Sequence, residues 1–509
     1  MNPPTLGPMR AILVMAIAAL VVALCDSVAF AHAKLLRTQP ENKATLNQPP
    51  QKVELWFNEE LQPQFDTVTV TDQSGKRVDQ NNVTLGEGNK KIEIDLENLT
   101  SGTYTVAWKV LSADQHTMKG QFTFTVALAA PASAATSPAQ TNPKSSTSPQ
   151  TLSTEPSQQS GANFRLSVVR WLQYLASMAL FGGFLFQLLI LGPSLGGVEG
   201  LDESEKSATL RRSTGRFIQL SWFSLALLAV AIVGSLIAQT AAVLDVGFAQ
   251  ALSPPSLYQV CMSTGFGGPW MLQLVMLLIV ATFFFIFTIS SRRWALWIGV
   301  VALAVMFYAL SSTGHAGAAA KEWRSALISD WVHLLTAALW VGGLFNLALT
   351  MPRAISPLAP APGMKLLAQV IRLFTWYAIP STILLALTGI YNSWIHLESF
   401  AELWSTSYGK TVLLKVVIFI PMLMLGGVNT FVLHPRAKRL SDSKNQASGE
   451  QVKLDRSFQR SVAIEAALGV VVLLAAAVLV FLQPAREHPD MTEATKPIST
   501  ITRNLRLMK

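Results

Sequence analysis

The sequence predicts a signal peptide, a small all-β sandwich, a disordered linker and an all-α membrane domain of about eight helices. Three observations support this fold class. Hydrophobic residues make up 50% of the 509-residue chain and charged residues 14%, and the mean hydropathy of +0.38 is too apolar for a soluble protein of this length. Residues 32–127 alternate short β-rich runs with turns, whereas long apolar segments follow residue 160. The residues between these two parts are rich in proline, serine and threonine.

Residues 1–31 have the three parts of a secretory signal peptide. Arg10 provides the positive start, residues 11–24 form the apolar core, and Ala29 and Ala31 match the small-residue cleavage pattern. Cleavage after Ala31 makes His32 the new N-terminus. Its α-amine and imidazole can then chelate one metal ion through two nitrogens, which an uncleaved chain cannot do. The alternative is that cleavage falls before a histidine without any role for it.

Cysteine and charge exclude two classes of function. Cys25 lies within the signal peptide, so Cys261 is the single cysteine of the mature chain, and we expect neither an intrachain disulfide nor a cysteine-based metal cluster. The formal net charge of +9 would fit a nucleic-acid partner, but its distribution along the chain follows membrane topology, as described below.

The exported domain, residues 32–127, is predicted to be a small antiparallel sandwich or barrel. Short β-rich runs occur at regular spacing, separated by turn signals such as residues 72–75 and 86–89. The predicted strands are 53–57, 67–70, 91–96, 103–110 and 121–126.

Asp114 and His116 precede the last predicted strand. Residues i and i+2 of an extended chain face the same side, so these two side chains can converge on one point. An amine, imidazoles and a carboxylate suit Cu(II). The alternative is an ordinary solvated loop, and the metal hypothesis depends on pairing this loop with His32.

Three stretches resemble the CopC periplasmic copper-binding family: residues 32–35 at the mature start, residues 53–61, and residues 107–126 with the Asp-x-His pair. The resemblance implies a cupredoxin-like (Ig-like) β-sandwich that binds Cu(II) through His32, Asp114, His116 and, less closely matched, Glu59. Some members of that family also bind Cu(I) through a Met-rich loop. Met118 is the single methionine of this domain, so we do not expect that second site.

Residues 128–160 are predicted to be a disordered linker, because five prolines scattered among Ser, Thr, Ala and Gln cannot build a core. The membrane domain is predicted over residues 161–484 and is followed by a tail, residues 485–509. It contains eight apolar segments of spanning length: about 166–191, 217–239, 269–289, 294–313, 326–350, 370–394, 410–433 and 461–482.

The loops between these segments predict the orientation. If the sandwich is outside, the predicted inner loops hold most Lys and Arg residues of the loops, whereas the outer loops at 243–267 and 395–407 hold none. The third outer loop holds Lys321 and Arg324, and the basic C-terminal tail is the exception to the pattern. The distribution in the loops agrees with the positive-inside rule. We therefore expect a multi-pass protein of the cytoplasmic membrane with its N-terminal domain on the periplasmic or extracellular side.

Ionisable groups within membrane spans usually mark function. Asp330 and His333 begin the fifth span on one helical stripe, and His315 and His396 lie at the outer ends of the fourth and sixth spans. These four residues are the predicted membrane copper pathway. The alternative for each histidine, strongest for His396, is an interfacial residue with water partners.

Other groups in the spans have a simpler interpretation. Arg170, Lys415 and Glu465 are predicted to be structural, because Arg and Lys can reach the interface by snorkelling and Glu465 can pair with a cationic neighbour. Six of the methionines of this domain are either soft Cu(I) ligands or ordinary core residues: Met262, Met271, Met276, Met306, Met422 and Met424.

The membrane part resembles the CopD copper-resistance family in residues 314–316, in Asp330-x-x-His333 with residues 340–343, and in residues 406–410. Lys415, Asn429 and Glu465 also match. With the CopC-like half before it, the chain resembles a CopC–CopD fusion, which implies copper uptake or copper homeostasis. Gln273 stands where a basic residue is expected, so the role of the third span stays open.

Three functions follow as hypotheses. The first is copper transport, with Cu(II) captured by the sandwich and passed, as Cu(I) if it is reduced, through the membrane domain. The second is a membrane-anchored copper buffer without transport, and the third, the weakest, is a haem-type membrane oxidoreductase. No nucleotide-binding motif or nucleophile–base pair is visible, so we expect no enzyme. The expected partners are copper ions, the lipid bilayer and periplasmic copper chaperones, and no nucleic acid.

Overall fold

The computed structural model describes residues 35–58, 60–112, 117–128, 156–198, 201–314, 323–397, 399–442 and 448–482. The predicted signal peptide, most of the predicted linker and the C-terminal tail lie outside these ranges. So do five of the predicted site residues: His32, Glu59, Asp114, His116 and His315.

The N-terminal part is a β-sandwich, as predicted. One sheet has the strand order β1-β3-β6-β5 and the other β2-β8-β7-β4. All pairs are antiparallel except the short β2–β8 pair, which is parallel. The strands are β1 (Leu35–Gln39), β2 (Thr45–Leu46), β3 (Lys52–Phe57), β4 (Thr67–Thr71), β5 (Thr84–Gly86), β6 (Lys91–Asp95), β7 (Gly102–Leu111) and β8 (Thr117–Val126).

Alternating apolar residues of the two sheets form the core of the sandwich. Leu55, Ile92, Val106 and Phe124 are fully buried between the sheets, as expected for side chains on the inner face of each strand. Gly120 on β8 leaves room for the Trp108 ring on β7, because a Cβ atom at this position would overlap that ring.

The C-terminal part contains eight helices that are long and apolar enough to cross a membrane within the described residues, in agreement with the eight predicted spans. They are α1 (Pro156–Leu185), α2 (Glu203–Leu244), α3 (Gly267–Ser290), α4 (Arg293–Ser312), α5 (Trp323–Ile355), α6 (Pro360–His396), α7 (Ser407–Val428) and α8 (Ser448–Leu479). Short helices connect them at Phe248–Ala251, Pro254–Ser263, Glu402–Ser405 and His434–Asp442. α1 begins inside the predicted linker, with a proline in its first turn, where a missing N–H costs nothing.

Two wide turns interrupt the spans. α1 continues through a π-helix at Phe186–Leu191, and α7 continues through a second π-helix at Asn429–Leu433. Such π-helical turns are often found at functional sites.

Glycines bring α1 and α5 into backbone contact. A Cβ atom at Gly342 would overlap the carbonyl group of Met178, and one at Gly182 would overlap the backbone of residues 342 and 343. Small residues allow such close approach of helices within a membrane. This contact fixes the position of α5, which carries Asp330 and His333.

The sandwich contacts one end of the helical domain. Lys109 Nζ on β7 donates a hydrogen bond to the carbonyl oxygen of Val243 at 2.7 Å, and Lys119 on β8 forms a 2.6 Å salt bridge with Asp245. Phe65 and Leu111 pack with Val243 and Val260 in one buried cluster. We call this end, where α2 ends and Val260 lies, the sandwich-facing end.

Successive helices alternate in direction, which decides what else lies at the sandwich-facing end. The C-termini of α4 and α6 and the N-termini of α5 and α7 lie there together with the C-terminus of α2. Asp330 and His333, near the start of α5, therefore belong to the half of the membrane domain that faces the sandwich.

Candidate functional site

The described residues that flank the predicted copper ligands meet at one end of the sandwich. Leu35, three residues after His32, pairs with Phe57, which precedes Glu59. Leu61 forms a bridge with Ser112, and Leu111 pairs with Thr117 on either side of residues 113–116. The three chain segments that carry the predicted ligands thus run beside one another. The ligands themselves lie outside the described residues, so their geometry stays a prediction.

Asp66 supports this end of the sandwich from within. Its Oδ1 accepts a hydrogen bond from the Leu111 backbone N–H at 2.9 Å, and its Oδ2 has no hydrogen-bond partner among the described residues. Burial raises the pKa of this carboxyl to about 7, an effect that the Leu111 hydrogen bond opposes. Asp66 was not predicted as a site residue, since a single carboxylate after a short turn carries no signal of burial.

The membrane domain has a polar cluster around Asp330. Ser311 Oγ on α4 donates a 2.7 Å hydrogen bond to Asp330 Oδ2 on α5. The cationic groups of Arg170 on α1 and Lys415 on α7 are close enough to attract this carboxylate electrostatically. Four helices therefore contribute charged or polar groups to one place near the sandwich-facing end.

Arg170 does not snorkel to the interface, contrary to prediction. Its side chain is only 7% exposed, and its guanidinium donates hydrogen bonds to the carbonyl oxygens of Leu310 and Thr313 and to the Thr313 hydroxyl. These carbonyls lie at the C-terminal end of α4, where a cation is favourable, and the Leu310 carbonyl also accepts from the Thr313 N–H and hydroxyl. Arg170 fixes the end of α4 beside Asp330.

His333 lies one turn after Asp330 on the same face of α5. Its Nδ1 is 2.9 Å from the Thr388 hydroxyl on α6, and that hydroxyl donates its own hydrogen to the Leu384 carbonyl at 2.7 Å. When the hydroxyl hydrogen points to Leu384, the hydroxyl accepts from His333 and the ring hydrogen lies on Nδ1. Nε2 then carries a free lone pair, the state in which imidazole binds a metal ion.

Thr388 and Gly389 set the position of this ring. A Cβ atom at Gly389 would lie 3.4 Å from His333 Cε1, so glycine leaves the ring its space. Neither residue was predicted. A threonine–glycine pair inside an apolar span carries no chemical signal until the neighbouring helix is known.

His396 is separated from His333. It lies at the C-terminus of α6, eight residues after Thr388 and hence about 12 Å further along the helix. Its ring packs edge-on against Tyr408, with 6.0 Å between the ring centroids. The structure thus brings Asp330 and His333 together and leaves His396 nearer the sandwich-facing end. No group of three or more His, Cys, Asp or Glu side chains suited to a metal occurs within the described ranges.

Glu465 on α8 does not have the cationic neighbour that was predicted. It is 1% exposed, and Asn429 Nδ2 donates a hydrogen bond to its Oε2 at 3.2 Å. The side chain of Trp340 on α5 is a second hydrogen-bond partner. Asn429 and Trp340 are both uncharged. The basic residues of the neighbouring helices lie nearer the ends of those helices. Gln273, the residue that departs from the expected pattern, is buried and accepts a hydrogen bond from Gln173 at 3.2 Å.

Comparison with protein-family models finds three matches that cover most of the chain. Residues 35–127 match the CopC domain. Residues 162–325 match the copper resistance protein D-like N-terminal domain, and residues 368–479 match copper resistance protein D.

Individual relatives agree with these matches. The chain is 26% identical to the copper transport protein CutJ of Bacillus subtilis (strain 168) over 476 residues, which cover 92% of this chain and 77% of that protein. It is 32% identical over 110 residues to copper resistance protein C of Xanthomonas campestris pv. juglandis, covering 20% of this chain and 86% of that protein. Among solved structures, CopC from Methylosinus trichosporium OB3b is 27% identical, with a TM-score of 0.19 over 20% of this chain and 100% of that chain.

Proposed function

The chain belongs to the CopC and CopD copper-resistance families, and from this premise we propose that it carries copper into the cell across the cytoplasmic membrane. The sandwich captures Cu(II) outside the membrane through His32, Asp114, His116 and Glu59. The metal then passes to the half of the membrane domain that contains Asp330 and His333. The similarity to a protein named as a copper transport protein over 92% of the chain supports this function.

One observation carries the proposal. β7 and β8, the strands on either side of residues 113–116, contact the membrane domain through Leu111, Lys109 and Lys119. Copper captured by the sandwich is proposed to leave it on this side, next to the helix ends, without first diffusing through the periplasm. A buffer that never delivers its metal has no need for this contact.

His333 is the proposed first imidazole within the membrane domain. In the tautomer that donates Nδ1–H to the Thr388 hydroxyl, Nε2 is available to the metal without prior loss of a proton. Asp330 contributes a carboxylate one turn away, and Arg170 and Lys415 balance its charge when no copper is present. His396 and His315 are proposed to line the approach from the sandwich.

The test is copper uptake into proteoliposomes that contain the full-length protein, with Cu(I) and Cu(II) offered separately. His333→Ala is expected to lower the initial uptake rate at least tenfold. His434→Ala, a histidine at the opposite end of α7, is the matched control and should transport like the wild type. Equal uptake by His333→Ala and the wild type would remove His333 from the pathway.

The buffer hypothesis makes the opposite prediction in the same vesicles. A buffer binds copper at the outer surface, so metal associated with the vesicles stays removable by an external chelator. A transporter leaves copper that the chelator cannot reach. We further propose that the protein is not an enzyme, and a haem absorption band in the purified protein would contradict this by supporting an oxidoreductase.

A further inference from the structure

Glu465 lies inside a membrane span without an ionic partner. It is 1% exposed, and its partners are the side chains of Asn429 and Trp340. No salt bridge to it occurs among the described residues. A carboxylate at such a place has lost its hydration without gaining a counter-ion, which is strongly unfavourable. A neutral carboxylic acid does not have this cost.

Asn429 is arranged to pair with the neutral acid. It is the first residue of the π-helix that follows α7, and it is 7% exposed. Its Nδ2 donates to Glu465 Oε2 at 3.2 Å, whereas its Oδ1 has no partner among the described residues. A carboxylic acid can donate its hydrogen to this oxygen and complete a reciprocal acid–amide pair. A carboxylate has no hydrogen to donate and would leave Oδ1 unpaired next to a negative charge.

A cavity of about 220 Å³ adjoins this pair between α5, α6, α7 and α8. A water molecule occupies roughly 30 Å³ in the liquid, so the space can hold several molecules where the few polar groups of its mainly apolar wall bind them. The hydroxyls of Thr375 and Thr430, 3.2 Å apart, supply polar groups on its wall. Among the described residues of these four helices that line the cavity, Glu465 is the one with a titratable side chain.

We propose that Glu465 is an intramembrane proton-binding site, neutral and paired with Asn429 at rest, that exchanges its proton with water in the adjoining cavity. Glu465 and the π-helix are its two essential parts. Trp340 links this site to the metal pathway, because its indole contacts Glu465 and it lies two turns after His333 on α5. We further assign Glu465 as the coupling group, an assignment that rests on the proposed transport function. One proton leaves Glu465 for the cavity water when a copper cation occupies the membrane domain.

The proton site is tested first, without any transport. Infrared difference spectra of the full-length protein should contain a carboxylic-acid C=O band that Glu465→Gln lacks, since glutamine keeps the size of the side chain but holds no acidic proton. Asn429→Leu should shift this band, because it removes both halves of the acid–amide pair. Gly427→Ala is the matched control: its added Cβ meets open space, so the band should not change. A wild-type spectrum without a band that depends on Glu465 would overturn the proposal.

Coupling is tested in vesicles that hold a pH-sensitive dye. Copper uptake by the wild type should raise the internal pH, as protons leave in exchange. In Glu465→Gln, the internal pH change per copper ion taken up should be at least tenfold smaller than in the wild type. An unchanged ratio of protons to copper in Glu465→Gln would overturn the coupling role. If the wild type moves no copper, the transport function fails, while the infrared band still decides whether Glu465 holds a proton.

Discussion

Asp66 gives the sandwich a pH-dependent stability. An aspartate of the unfolded chain titrates near pH 4, whereas burial raises the pKa of Asp66 to about 7. The folded state thus binds this proton more tightly than the unfolded state does. The resulting stabilisation is complete below about pH 4 and is lost as the pH rises through about 7. The loss amounts to a few kcal/mol, because one pKa unit corresponds to about 1.4 kcal/mol.

Asp66→Asn is expected to remove this dependence. Protection of the sandwich strands from hydrogen exchange in the full-length protein, corrected for the intrinsic exchange rate, should fall between about pH 5 and 7 in the wild type and much less in the variant. Asp72→Asn is the control, because hydrogen bonds from Ser74 lower the pKa of that exposed carboxyl and it stays ionised over this range. Equal pH profiles for the wild type and Asp66→Asn would contradict the raised pKa.

At the scale of single residues, the sequence identifies the candidate functional groups more reliably than it identifies the residues that they contact. Asp330, His333 and Glu465 stand out because charged and imidazole groups are rare within apolar spans. Their partners do not stand out. Thr388 and Ser311 resemble any hydroxyl residue of a membrane helix, and they gain a role only because α4, α5 and α6 pack in one particular register.

The α1–α5 contact is the element-scale feature on which the position of His333 depends. Gly342→Ala adds a Cβ that overlaps the Met178 carbonyl, so the helices must separate. Overpacking of this kind typically costs about 1–3 kcal/mol. We expect a lower thermal unfolding midpoint and a lower yield of folded protein than for Gly268→Ala, whose Cβ meets open space at the start of α3. A Gly342→Ala protein as stable as this control would contradict the close backbone contact.

The docking of the sandwich is a second element-scale feature, and one salt bridge allows it to be tested. Lys119→Glu places a carboxylate opposite Asp245, and we expect uptake at limiting copper to fall about two- to fivefold, which corresponds to 1 kcal/mol or less for an exposed pair. Adding Asp245→Asn should relieve the repulsion and restore part of the rate. Asparagine suits this position, because residue 245 has a positive φ of 60°.

Lys76→Glu is the matched charge change for this experiment. It lies in the turn that Asp72 stabilises within the sandwich and should leave uptake unchanged. If Lys119→Glu also transports like the wild type, or if Asp245→Asn does not improve it, the contact between β8 and the end of α2 has no part in delivery.

At the scale of elements, the long apolar spans and the longer strands could be predicted because each carries its own periodic or compositional signal. The short strands could not. β2 consists of Thr45 and Leu46 alone, and it exists because β8 offers a free edge for parallel pairing. The π-helix at Asn429 likewise could not be predicted, because nothing in the sequence of residues 429–433 distinguishes a π-helical turn from an α-helical one.

At the scale of the whole molecule, two domains are combined so that the proposed steps of metal capture and membrane passage are adjacent. The sandwich alone resembles relatives named as copper resistance protein C, whereas the similarity to a copper transport protein extends over both domains. The sequence predicted this combination but not the contact between the domains, because Lys109, Lys119 and Asp245 are common surface residues. Their meeting depends on the fold of both parts.

The dependence of the capture site on signal-peptide removal is the last prediction at this scale. If the His32 α-amine is a copper ligand, a full-length protein that retains one extra alanine before His32 after cleavage should bind Cu(II) at least tenfold more weakly, about 1.4 kcal/mol. The extra residue turns the amine into an amide, which cannot ligate the metal in the same way.

His32→Ala serves as the complementary variant, since it keeps the amine and removes the ring. Because copper must displace protons from the amine and imidazoles, the affinity of the wild type should fall as the pH is lowered. Binding is measured by isothermal titration calorimetry with a competing Cu(II) chelator. Uptake at saturating copper should change much less in the extended protein than binding does, because the membrane domain can then be reached directly. Unchanged Cu(II) affinity in the extended protein would exclude the amine as a ligand and would assign the capture of copper to side chains alone.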